Sequence, residues 1–357
     1  MRFPSKQIDI SWKATLGLAG VCSWLVVKEL WDVSMSTSDI PDEPHELARF
    51  VFEHFYLPDE AMIAPFDRAA EGLTGHFSLA ALVFRTNLYS ATLAASIPCT
   101  MASASVAQQR FGAFHIAERI RALKKVEPKQ PLTPELEGEA YEIAHSRMVE
   151  FKESEEGVIW FRDAILRELN KAGKEPDFRI ASEELLFNTL VNSWGTFEVF
   201  VSEIVRLLIN AKPTLAAGLL SNESTKKHFP GKIFSIEALA VREFNVAASM
   251  GDLLLEHRHL DSLGVLKDVF NVIFPDHSAL RSALANPELW MLWKRRHLIV
   301  HKRGIVDASY LATTSDTTEL GARLKITGEY IEDCLVLVRD AAAEVTLALK
   351  KEFADLI

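Results

Sequence analysis

The chain has 357 residues, of which 48% are hydrophobic and 25% charged, a globular balance that excludes wholesale disorder. Lys and Arg total 39 against 49 Asp and Glu, a net charge of −10. That excludes a protein coating duplex nucleic acid by overall charge, though not a local basic site.

Gly (16) and Pro (14) are scarce, which points to an all-α fold. The three cysteines, Cys22, Cys99 and Cys334, are isolated, so no disulfide framework is expected and a reducing, cytoplasmic setting fits them.

Taken in chain order, the first feature is the apolar run 14–27, flanked by Lys13 and Lys28. Its 14 residues fall short of the roughly 20 that span a bilayer. It reads as a weak membrane anchor, a buried helix, or an extension upstream of a start at Met35. Residues 1–34 are set apart on that account, and stable membrane attachment is not expected.

From 46 to 169 the pattern is helical, broken by the proline-rich 128–134. Small residues dominate 91–107, where helices could pack closely. A polar break at 171–177 predicts a boundary between a helical region of unassigned role, 35–175, and a second helical region.

The second region is more legible. Apolar residues at three- and four-residue steps predict helices over 182–210, 236–255, 263–274 and 326–353, with an irregular connection over 211–232. Asn286-Pro287-Glu288 combines an N-cap, a first-turn proline and an acid, and predicts a helix running to about 303 and stopping at Gly304. Together these elements predict a four- or five-helix bundle over 180–353.

The helix over 288–303 is the chemical focus. Lys294, Arg295, Arg296, Lys302 and Arg303 join His297 and His301 within ten positions of an otherwise acidic chain. At about 100° per residue, Arg296 falls amid Leu289, Leu292, Trp293, Ile299 and Val300, the face that should bury itself. A guanidinium there needs an anion.

Two readings follow. In one, Arg296 pairs with a core carboxylate such as Glu198 or Glu203, and His301 is a helix C-terminal cation. In the other, Arg296 awaits an anionic substrate, with imidazoles alongside for proton transfer near neutral pH.

The segment Arg296-His297-Leu-Ile-Val-His301-Lys-Arg-Gly304-Ile-Val-Asp307-Ala-Ser-Tyr310-Leu resembles the signature of the HEPN superfamily (higher eukaryotes and prokaryotes nucleotide-binding domains). The resemblance covers about 180–350. Arg49…His54 and Arg110…His115 share the Arg-to-His spacing, but each has Phe after the arginine and lacks the downstream Gly and Asp. One departure from the signature is Met291, where some catalytic relatives carry Glu.

The resemblance implies an all-α bundle and a metal-independent endoribonuclease, a toxin or phage-defence effector, with RNA as substrate and no cofactor. It implies catalytic roles for Arg296, His301 and His297, and RNA backbone contacts from Lys294, Arg295, Lys302 and Arg303. A non-catalytic HEPN-like module binding RNA, a nucleotide or a protein is the alternative.

Arg296 and His301 are five residues apart, hence about 140° around the helix, and converge poorly on one phosphate. A two-fold homodimer, each helix completing the other's site, resolves this. The resemblance is also compatible with an antitoxin or regulatory partner.

The chain holds two further constellations. His297-x3-His301 has the spacing of a zinc helix but offers no third ligand. Arg119, Arg121, Lys124 and Lys125, after His115, read either as a second RNA-contacting face or as an exposed helix face with i,i+4 pairs.

Overall fold

The structure is a computed structural model that describes residues 43–357, except 60, 129, 230–235, 257–259 and 261. The run 14–27 lies outside the described residues. Among those described, fifteen α-helices and no strand form, so the fold is all-α as expected from the scarcity of turn residues.

In chain order the helices are α1 (Glu43–His54), α2 (Ala64–Ala70), α3 (Gly75–Ala95), α4 (Ile97–Leu123), α5 (Pro134–Glu153), α6 (Glu155–Gly173), α7 (Pro176–Ala211) and α8 (Thr214–Ser221). There follow α9 (Ile236–Ala240), α10 (Met250–Leu255), α11 (Leu263–Ile273), α12 (Ser278–Ala285), α13 (Pro287–Lys302), α14 (Ala308–Thr313) and α15 (Gly328–Glu352).

The described chain forms two compact units, 103–166 and 43–102 with 167–357. The second division, at 166/167, falls a few residues before the break expected at 171–177. The expected break separates α6 from α7; α1, α2 and α3 belong to the unit of the C-terminal helices, and α2 and α3 share its core. The reason is apolar: Phe66 of α2, Phe84 of α3 and Phe200 of α7 pack with ring centroids 4.5 to 5.8 Å apart. Such pairs add about 0.5–1.5 kcal/mol each beyond simple burial.

The smaller unit is organised around charge and aromatic faces. The Arg110 guanidinium lies 4.2 Å from the Phe151 ring centroid, 4.7 Å from that of Trp160 and 4.8 Å from that of Phe114. Buried Glu118 accepts hydrogen bonds from Arg121 and Arg147.

In the larger unit α7 is the central element. Leu186, Leu190, Trp194, Phe197, Val201, Ile204, Val205 and Leu208 are buried, as their spacing predicts. Its buried hydroxyls bond back to the preceding turn, Thr189 to the Leu185 carbonyl (2.8 Å) and Ser193 to that of Leu190 (2.8 Å), so they enter the core without an orphaned donor. α15 buries the stripe Ile331, Cys334, Leu335, Val338, Ala342, Val345 and Leu349. Gly328 opens it where a Cβ would overlap the Phe55 carbonyl, so only glycine permits that approach.

Two predicted elements differ. The helix expected over 236–255 is divided into α9 and α10, because Glu243 and Phe244 both take left-handed backbone (φ 52° and 56°). Asn210 on α7 then caps α10, accepting from the Gly251 amide at 2.7 Å. The connection expected to be irregular contains α8, whose Ala216 and Leu219 are buried in the core.

Among the described residues no single helix is long and apolar enough to cross a membrane. Only α7 and α8 taken together pass by length and composition, and they meet at a bend of 117°.

Candidate functional site

α13 begins as its sequence dictates. The Asn286 side chain accepts from the Glu288 amide at 2.9 Å, and Pro287 fills the first position. Leu289, Leu292 and Leu298 are buried, and the helix packs on α7, α12 and α15.

Its end comes one residue earlier than Gly304 alone would set it, since Arg303 already adopts left-handed backbone (φ 53°). Gly304 (φ 76°) donates its amide to the Leu298 carbonyl, and a Cβ there would lie 2.8 Å from the Phe187 ring. The chain then turns back: Val306 donates to the Ala322 carbonyl and Leu324 to that of Gly304. Asp307 caps α14 through the Tyr310 amide at 2.8 Å. The Gly-x-x-Asp-x-x-Tyr tail of the motif is thus the turn that anchors α13.

The two adjacent arginines part around the buried face. Arg295 turns inward. Its Nη2 donates to Asp316 Oδ2 at 3.0 Å, its Nε to the Tyr310 hydroxyl at 3.4 Å, and its guanidinium stands 4.4 Å from the Tyr330 ring centroid.

Tyr310 donates to the same Asp316 oxygen at 2.7 Å, and Thr318 supplies Asp316 Oδ1 with its amide (3.0 Å) and hydroxyl (2.6 Å). Burial works to raise the Asp316 carboxyl, but the bonds from Thr318, Tyr310 and Arg295 outweigh it and hold it well below the usual range. This network occupies the Arg295 guanidinium, the group expected along an RNA backbone. Met291 faces the same cluster, its sulfur 3.7 Å from the Tyr310 hydroxyl.

Arg296 sits on the other flank. Its Nη2 is 3.8 Å from Glu198 Oε2 on α7, and the two side chains are 23% and 18% exposed. That is an ion pair beyond hydrogen-bond reach. The Arg296 Nε is buried and makes no hydrogen bond among the described residues. Glu203, the other candidate carboxylate on α7, pairs with Arg206. Arg296 is therefore neutralised in part and retains an exposed edge.

The outer face carries the histidines. His297 and His301 are both exposed, and their rings lie 4.4 Å apart at 49°. The His297 imidazole is held below its ordinary value, first by partial burial and then by the positive charges of His301, Arg296 and Lys294, against a weaker opposing pull from Asp307. It is neutral at neutral pH and able to accept a proton.

Trp293 continues the strip, 6.2 Å from the His297 ring. The Lys294 ammonium stands 5.3 Å and 5.2 Å from the Trp290 and Trp293 ring centroids. Lys302 and Arg303 are exposed at the helix end.

One continuous surface therefore holds His297, His301, Lys294, Lys302 and Arg303, with Arg296 at its edge and Arg295 absent from it. The Arg295–Asp316–Tyr310 cluster and the two indoles are the features that spacing alone missed. The Asp-x-Thr turn at 316–318 was the one local signal for the first of these.

No three of His, Cys, Asp and Glu come together as a metal-binding group among the described residues. The other Arg…His pair in the smaller unit is built differently. Arg110 is caged by rings, while His115 lies 3.9 Å from Glu137. The basic run that follows is ion-paired, Arg119 with Glu137, Arg121 with Glu118 and Lys125 with Glu139.

No family model, curated protein or solved structure matches this chain.

Proposed function

We propose that α13 carries the active face of a metal-independent endoribonuclease of the HEPN kind, working in the cytoplasm as a homodimer and serving as a toxin or phage-defence effector. The observation that carries this reading is the pair of exposed imidazoles, His297 and His301, 4.4 Å apart beside the mostly buried Arg296, which keeps an exposed edge.

RNA supplies its own nucleophile, so a base and an anion stabiliser suffice. One imidazole takes the 2′-OH proton as that oxygen bonds to the adjacent phosphorus. The bond from phosphorus to the 5′ oxygen breaks, and a protonated imidazole returns a proton to that oxygen, leaving a 2′,3′-cyclic phosphate. Neutral His297 suits the first task, and His301 is the second imidazole of the pair. Arg296 meets the charge that builds on the phosphoryl oxygens, and Lys294, Lys302 and Arg303 hold the flanking backbone.

The test is cleavage of RNA in excess EDTA by the wild type, Arg296→Ala and His301→Ala. Loss of cleavage in both variants, with cyclic phosphate ends from the wild type, supports the reading. Equal cleavage by all three, or by none, counts against it.

A second reading is favoured by the Arg296–Glu198 pair: a non-catalytic module in which Arg296 is structural and the basic face binds RNA, a nucleotide or a protein partner such as an antitoxin. It predicts RNA retention without cleavage, and growth inhibition on expression that persists in His301→Ala.

A further inference from the structure

We infer that Trp293 is a base-stacking platform that makes this face selective for single-stranded RNA. The inference rests on the ribonuclease reading and assigns a role to a residue outside the Arg…His motif.

Trp293, His297 and His301 recur every four residues, so they form one ring-bearing strip along α13. The centroid separations along it are 6.2 Å and 4.4 Å. Four helical residues advance about 6 Å, so the indole lies one turn from the imidazole pair, within reach of a nucleotide next to the phosphate held there.

The indole is packed against the core and only partly buried, which fixes its orientation at little entropic cost to a ligand. The Lys294 ammonium stands over both Trp290 and Trp293. That places a phosphate-seeking charge beside an aromatic face, the combination by which single strands are held.

In an RNA duplex the base faces are already stacked and cannot reach an indole on a convex helix, whereas an unpaired base can turn onto it. Every base has a π-face, so the preference is for strandedness rather than sequence.

The experiment measures binding of a labelled 2′-O-methyl oligouridylate, which lacks the nucleophile and is not cut, alone and annealed to its 2′-O-methyl complement. The proteins are the wild type and Trp293→Ala, Trp293→Leu and Trp293→Phe.

Wild type should prefer the single strand at least about tenfold, and Ala and Leu should weaken single-strand binding by roughly ten- to a hundredfold, the usual worth of one stacked base. Duplex binding should change little, and Phe should keep most of the affinity. Leu preserves apolar packing, so the contrast between Leu and Phe decides the matter even where Ala unfolds.

Leu binding as well as Phe, or wild type binding both forms equally, overturns the platform alone. If wild type binds neither form and leaves natural RNA uncut, the ribonuclease reading falls with it.

Discussion

Arg295 donates to Asp316 across 3.0 Å in a pocket where Asp316 is only 6% exposed, and Tyr310 donates to the same carboxylate oxygen. This pair ties α13 to the loop that follows α14. It is the electrostatic partner of the hydrophobic seam formed by Leu289, Leu292 and Leu298.

Removing one member strands the other. Asp316→Ala should lower unfolding stability by about 3–5 kcal/mol, the usual effect of leaving a buried charge uncompensated. Replacing both, Arg295→Met with Asp316→Leu, should recover a large part of the loss, read by urea denaturation as a double-mutant cycle. The sign of the pH effect is fixed by the lowered carboxyl. Its contribution is whole above the unfolded carboxylate value of about 3.9 and is lost only as pH falls towards the folded value. In Asp316→Asn that acid limb should flatten.

The Arg296–Glu198 pair separates the two functional readings. If Arg296 is a phosphate ligand, Glu198→Gln removes a competing anion and tightens RNA binding several-fold. Arg296→Ala should then cost roughly 10²–10³ in cleavage rate, as for other stabilisers of transition-state charge. If Arg296 is structural, both variants lower the melting temperature, RNA binding stays constant, and the double variant loses less than the sum of the singles. Binding isotherms and thermal melts on the same three proteins decide between them.

How far the sequence carried this result differs between elements. The helices α7, α11, α13 and α15 were legible because each buries one stripe, and a stripe repeats in sequence. The division of 236–255 was not, since Glu243 and Phe244 are residues whose types seldom adopt left-handed backbone, and only the local fold holds them there.

The site was half legible. The cation cluster and the histidine pair follow from spacing. Which of two neighbouring arginines turns inward does not, because Arg295 and Arg296 both flank the buried face and the choice rests on a carboxylate 21 residues away. That 43–102 falls in one unit with 167–357 was hidden for the same reason, since α2 and α3 join the core through contacts distant in sequence.

His297 should titrate below the ordinary imidazole value, for burial and three neighbouring cationic side chains disfavour its proton. The unfolded histidine titrates near 6.5, so between the folded value and about 6.5 the unfolded chain binds more protons and stability rises with pH. Below both values that contribution is gone. In His301→Ala one source of repulsion is removed and the His297 midpoint should move upward, measured by NMR titration of the imidazole C–H signals. An unchanged or lowered midpoint would show that the two rings do not sense each other's charge.

Helical geometry sets the last expectation. Arg296 and His301 are about 140° apart around α13, so a phosphate between the His301 imidazole and a guanidinium is best served by two chains. Arg296→Ala and His301→Ala should each be inactive alone. Unfolded together and refolded as a mixture, they pair at random, and about half of the dimers are mixed. Each mixed dimer holds one composite site with both wild-type groups and one with neither, so the mixture should recover roughly a quarter of wild-type cleavage per chain. Sites completed within one chain would leave the mixture as inactive as its parents. Any RNA that the wild type cuts serves for this measurement, so the shared site is tested before the natural target is known.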